Sequence, residues 1–142
     1  MTSPPSTDNT REIVALFWKN MGGDWATVCA FAAQYFAEDL EWSAVGTGVP
    51  GAGTHRGRDA VLQILSAIRE LFEPDHFHGE VIHLVVDGSW AAAETRVSAL
   101  MRDGRRYENR YAFFIEVSGR KIRAVREYFD TYYVNHLIGE HL

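Results

Sequence analysis

The stretch over residues 90–129, WAAAETRVSALMRDGRRYENRYAFFIEVSGRKIRAVREYF, decides the fold. Its side chains alternate with a period of two in three successive runs, 90–101, 106–117 and 121–130, the signature of half-buried strands. Asp103-Gly104 and Ser118-Gly119 supply tight turns between the runs, and Asp87-Gly88 joins them to an earlier run at 76–86. Four consecutive strands joined in this way make an antiparallel meander.

Upstream the period becomes helical. Asn9 reads as a cap with Glu12 three residues on, Ile13, Phe17 and Met21 share one stripe, and Gly22-Gly23 end the helix. Asp24 caps a second helix in which Trp25, Val28, Ala32, Tyr35 and Phe36 recur at spacings of three and four. Residues 40–45 are too few for a helix and read as a strand, 46–57 as a glycine-rich loop, and 58–72 as a third helix with Pro74 just beyond it. Helices at the start and strands at the end predict an α+β fold, with three helices covering one face of a curved antiparallel sheet. The expected organisation is a disordered tail at 1–8, one domain over 9–135 and a C-terminal tail at 136–142.

Composition narrows the function. The chain has 142 residues, enough for one core, and 14 basic against 19 acidic side chains give it a formal charge of −5. That balance argues against a phosphate backbone as partner, so no nucleic acid is expected. No run approaches the ~18 apolar residues of a membrane span, and 1–10 lacks the basic start and apolar run of a secretory signal, so no membrane partner and a cytoplasmic location are expected. Cys29 stands alone in an apolar helical pattern and is expected to be a buried reduced thiol.

Two motifs fail on context. Gly46, Gly48 and Gly51 match G-x-G-x-x-G, but Pro50, Gly53 and Gly57 postpone the helix whose N-terminus would hold a pyrophosphate, and a meander has no βαβ unit. The stretch is better read as a surface loop beside a pocket. His76 and His78 fall on one strand face and His83 on the other if the strand is regular, so three ligands do not converge. Neither a metal nor a cofactor is expected.

Tyr35-Phe36-Ala37-Glu38-Asp39 before the first strand, 103–109 at a hairpin and Val125-Arg126-Glu127-Tyr128-Phe129-Asp130 in the last strand resemble the nuclear transport factor 2-like superfamily. Its SnoaL-like, limonene epoxide hydrolase-like and ketosteroid isomerase-like branch is the most similar. The resemblance implies a cone-shaped (cystatin-like) fold with a pocket between sheet and helices. Its enzymes are mostly cofactor-free isomerases, dehydratases, cyclases and epoxide hydrolases.

The resemblance and simple alternation disagree over one strand. Alternation buries Ala91, Ala93, Thr95, Val97, Ala99 and Met101 and solvates Trp90, Glu94, Arg96 and Ser98. The family frame instead turns Arg96 into the cone and leaves the smooth apolar face outside, where a second subunit would cover it, so a homodimer through outer sheet faces is expected. On that frame Asn109, Tyr111 and Phe113 point inward, as do Val125, Glu127 and Phe129. Glu127 and Arg96 become the charged pair of the pocket, with Glu94 near its rim.

Matched to epoxide hydrolases of this branch, Arg96 and Glu127 fit an arginine and an acid. Ser98, Trp42 and Ala44, however, stand where the water-activating aspartate, tyrosine and asparagine belong. Matched to ketosteroid isomerases, Ser43 or Ala44 stands at the base position while Tyr111 fits an oxyanion donor. The catalytic candidates are therefore Glu127, Arg96 and Tyr111, and the substrate-contact candidates are Tyr35, Trp42, Ser98, Asn109, Phe113, Val125 and Phe129. They suit proton transfer on a small apolar carbonyl-bearing metabolite: an isomerisation, dehydration or polyketide-type cyclisation. The alternatives are a non-catalytic pocket for a hydrophobic small molecule and an epoxide hydrolase with an altered site. Burial would raise the Glu127 pKa and a contacting Arg96 would lower it, so the placement of Arg96 decides between proton transfer and a spectator ion pair.

Overall fold

The computed structural model describes residues 6–138. The elements are α1 (Thr7–Met21), α2 (Trp25–Tyr35), β1 (Phe36–Ala44), β2 (Gly53–Arg56), α3 (Arg58–Arg69), β3 (Phe72–Asp87), β4 (Trp90–Met101), β5 (Arg106–Ser118), β6 (Lys121–Phe129) and α4 (Thr131–Leu137). The strands form one curved, unclosed sheet in the order β2-β1-β6-β5-β4-β3. The meander β3 to β6 is antiparallel throughout, as the alternation predicts, and β1 adds to β6 in parallel. This is the α+β cone fold.

Several boundaries differ from the sequence expectation. α1 is capped by Ser6, whose hydroxyl accepts from the Asn9 N–H, so Thr7 and Asp8 are helical rather than part of a tail. Asn9 and Glu12 instead fasten α1 to the β5–β6 turn. The Asn9 amide donates to the Gly119 carbonyl, and Arg120 bridges to Glu12. β1 begins at Phe36, because its inward Phe36, Leu40 and Trp42 are buried against α1 and α2. The 46–57 segment contains β2, paired with β1. Pro74 falls inside β3, which tolerates it as the outermost strand with no neighbour on one side.

A fourth helix was not expected. Asp130 caps α4 by accepting from the Tyr133 N–H, and the buried Val134 and Ile138 close one end of the cone. The supposed tail from 136 therefore contributes core at least to Ile138; residues 139–142, like 1–5, lie outside the described residues. Two apolar clusters result, one where α1, α2 and β1 meet the sheet, the other around Phe72, Tyr107, Val134 and Ile138. Tyr111 packs against both.

Candidate functional site

A cavity of about 160 Å³ lies between the curved sheet and the helices. Phe17, Trp18, Trp25, Leu65 and Ile68 line it from the helices, and Trp42, Val97, Phe113 and Phe129 from the strands. Pro50 of the glycine-rich loop joins them. Gly51 is required beside it: φ is +77°, and a Cβ there would stand 2.9 Å from the Ile68 side chain. Among the described residues the lining holds two charged side chains, Glu127 and Arg69.

Glu127 follows from the register of β6. Val125, Glu127 and Phe129 share the inward face, and Phe113 stands directly across from Glu127 on β5. Among the described residues no ion pair compensates its carboxyl. Burial among apolar side chains pushes it up to about 7, against the downward pull of a hydrogen bond from Trp42 on β1. A carboxyl so placed is close to half ionised at neutral pH, which suits a group that must both accept and return a proton.

Beside it stand two hydroxyls. Tyr107 and Tyr111 line the cavity from β5, and their hydroxyls are hydrogen-bonded to each other. The Asn109 amide nitrogen donates to the Tyr107 hydroxyl at 3.1 Å, and its oxygen accepts from the Arg110 N–H at 2.8 Å, which orients the amide. Burial pushes both phenols above their ordinary pKa, Tyr111 well above, and the Glu127 charge adds to each. They therefore stay protonated at neutral pH. The pair has two hydroxyl protons and uses one between its members, so the other remains for an acceptor in the cavity. Because Phe113 is opposite Glu127 and Phe129 is opposite Tyr111, carboxyl and hydroxyl are diagonal neighbours on one sheet face, where backbones are roughly 7–8 Å apart.

The structure sorts the remaining candidates. Trp42, Phe113 and Phe129 line the cavity. Val125 is fully buried in the core, and Asn109 lies behind Tyr107 as its donor. Arg96 is exposed and sits on the outer face of β4, so it forms no pair with Glu127. Simple alternation was right for this strand: Ala91, Ala93, Thr95, Val97, Ala99 and Met101 are buried inside, and the expected smooth apolar outer face does not exist. Ser98 shares the outer face with Arg96, and Glu94 is exposed there, 3.3 Å from His83. Tyr35 is also outside the cavity; it packs on Phe31 at the far side of α2.

The histidines of β3 also depart from regular alternation, for a physical reason. β3 shifts register between Val81 and His83, so His78 and His83 pair with Ser98 and Glu94 on the same outer face, where regular alternation would separate them. All three of His76, His78 and His83 are exposed.

Sequence reasoning missed Tyr107, Arg69, Trp18 and the α4 residues. Tyr107 was legible, since it precedes Asn109, Tyr111 and Phe113 on the same alternating face. Asp130 before Thr131-Tyr132-Tyr133-Val134 was a readable helix cap. Trp18 offered no signal: it flanks the Phe17 stripe of α1, and its buried indole N–H has no partner among the described residues.

The family model of the SnoaL-like domain matches residues 11–132. No curated protein matches the chain. Among solved structures, a nuclear transport factor 2-like protein from Burkholderia xenovorans LB400 is similar at 27% identity, with a TM-score of 0.72 over 92% of this chain and 96% of that one. A protein with a ketosteroid isomerase-like fold from Catenulispora acidiphila DSM 44928, in complex with trimethylamine, superposes with a TM-score of 0.71 at 17% identity, covering 90% and 92%. A protein provisionally named a SnoaL-like polyketide cyclase, from Jannaschia sp. CCS1, superposes with a TM-score of 0.78 at 10% identity, covering 98% and 97%. At those identities the last two speak for the fold alone.

Proposed function

From the premise that this chain belongs to the SnoaL-like domain family, we propose that it is a cofactor-free proton-transfer enzyme acting on a small apolar carbonyl compound. The observation that carries the reading is Glu127: one carboxyl without a cationic partner, set in an apolar cavity beside a hydroxyl pair. Ionised Glu127 takes a proton from the carbon next to the carbonyl. The resulting enolate oxygen receives a hydrogen bond from the Tyr107–Tyr111 pair, and the protonated carboxyl returns its proton to the same or another carbon. Isomerisation, dehydration and aldol-type cyclisation all share that first step.

The site gives no support to epoxide hydrolysis with several acids. The inner face of β4 offers no ionisable side chain, and Glu127 is the lone carboxylate among the described lining residues. The test uses 2-tetralone, an uncharged enolisable ketone, in deuterium oxide, with exchange of its α-hydrogens followed by NMR. Protein at catalytic concentration should accelerate exchange, and Glu127→Gln should lose about 10²–10⁴ of the acceleration. A ketone that binds without exchanging would turn the cavity into a binding module.

A second copy of the chain is our proposed partner for the outer sheet face. Val85, Ala92 and Phe114 are direct cross-strand neighbours there, with Tyr128 against Phe114, and Val85, Phe114 and Tyr128 are 65%, 44% and 46% exposed. The apolar residues that favour a dimer are thus not those of the alternating face of β4. Among the described residues no helix is long and apolar enough to cross a membrane.

A further inference from the structure

Arg69, the last residue of α3, is the one cation in the described cavity lining, and the proton-transfer step does not use it. Its guanidinium lies between the rings of Trp25 and Phe77, with centroids at 6.0 and 5.5 Å. It donates to the Met21 carbonyl at 2.8 Å and to the Gly23 carbonyl at 2.6 and 2.9 Å. Both acceptors are neutral. No carboxylate of the described residues lies within ion-pair distance, and the Nε hydrogen and one Nη1 hydrogen have no protein acceptor. The guanidinium is held by neutral carbonyls with Asp24 beyond ion-pair distance, and its two free N–H groups, on different edges, can each take one oxygen of an anion.

The charges around Arg69 favour one direction of approach. Arg69 is shared by the cavity and by an outer recess of about 250 Å³, whose other charged residues are Asp24, Glu70, Glu73 and Arg102. Three acids there disfavour an anion arriving on that side, whereas on the cavity side Glu127 is the one acid among the described lining residues. Glu127 and Arg69 stand apart. They lie on different elements, β6 and the end of α3, and form no ion pair with each other. A ligand can therefore touch both without its anion meeting the carboxylate.

We infer that the cavity takes apolar carboxylic acids, with the carboxylate on Arg69 and the hydrocarbon body reaching towards Glu127 and the tyrosine pair. This names a substrate class for the proton-transfer reading and rests on it. Arg69 is then the residue that selects the substrate and sets its depth, and the apolar walls between the two charges hold the chain that carries the reacting carbonyl.

The test compares 4-phenylbutyrate with its methyl ester, which differ in charge at one end, by quenching of the cavity tryptophans. The acid should bind the wild type at least tenfold more tightly than the ester. Arg69→Met should abolish that preference, and Glu127→Gln should retain it. Arg69 also clamps the α1–α2 turn, so Arg69→Lys, which keeps the charge and loses the fork, provides a second variant. It should fold with the wild-type circular dichroism spectrum and show a reduced preference. Equal affinities in the wild type, no binding of the acid, or a preference that survives in Arg69→Met would overturn the inference. The 2-tetralone assay involves no carboxylate, so failure here and failure of the Glu127 reading remain distinguishable.

Discussion

Tyr107 and Tyr111, on the same face of β5, hydrogen-bond to each other through their hydroxyls at the cavity wall, with Asn109 donating to Tyr107 from between them. One hydroxyl proton of the pair is left for a ligand oxygen. Tyr111→Phe should lower the 2-tetralone exchange rate by about 10²–10³, the range for loss of one oxyanion donor, with little change in ketone affinity. Tyr107→Phe leaves the Tyr111 hydroxyl in place and should cost less. Measured exchange rates for both variants check the order.

The raised Glu127 pKa makes a stability prediction with a definite sign. The folded carboxyl titrates near 7, the unfolded one near 4.5, so between those values the folded state binds more protons and stability falls as pH rises. Glu127→Gln should therefore match the wild type at pH 4 and exceed it above pH 7 by up to about 3 kcal/mol. Denaturant titrations of both proteins at pH 4, 6 and 8 provide the comparison. A glutamine that destabilises equally at every pH would contradict the assignment.

Arg96 supplies the opposite expectation. It is exposed on the outer face of β4 and pairs with no acid among the described residues, so Arg96→Ala should change stability by no more than about 0.5 kcal/mol. Exchange activity should not move. Had it been the buried partner of Glu127, its loss would cost about 3–5 kcal/mol, so one denaturation curve separates the two placements.

That contrast shows how much was legible in the sequence. Alternation gave the inward face of β4 correctly, and the family frame gave those of β5 and β6, where Tyr111, Phe113, Glu127 and Phe129 lie as it put them. The error entered when a family frame shifted β4 by one residue, because a period of two converts a one-residue slip into a complete exchange of faces. Arg69 was invisible for another reason. On a helix its charge reads as solvated, and only the packing of α3 against the α1–α2 turn brings it between Trp25 and Phe77. α4 is too short for periodicity to reveal.

The outer face of the sheet gives a prediction about assembly. Phe114 and Tyr128 meet edge to face at 5.9 Å, and Arg126 covers Trp90 next to them. The wild type should sediment as a dimer at micromolar concentration. Phe114→Glu, by placing a charge on the apolar row it shares with Ala92 and Val85, should sediment as a folded monomer. A wild type that is monomeric throughout would remove the proposed interface.

The central claim is that Glu127 is a proton-exchanging group without a cationic partner. It is tested most directly by carbon NMR of the protein labelled at its glutamate side-chain carboxyls, with the Glu127 resonance identified by its absence in Glu127→Gln. The account predicts a titration midpoint near 7, set by burial in the apolar cavity. A midpoint at or below the ordinary 4.5 would show a solvated or ion-paired carboxylate, and would contradict it.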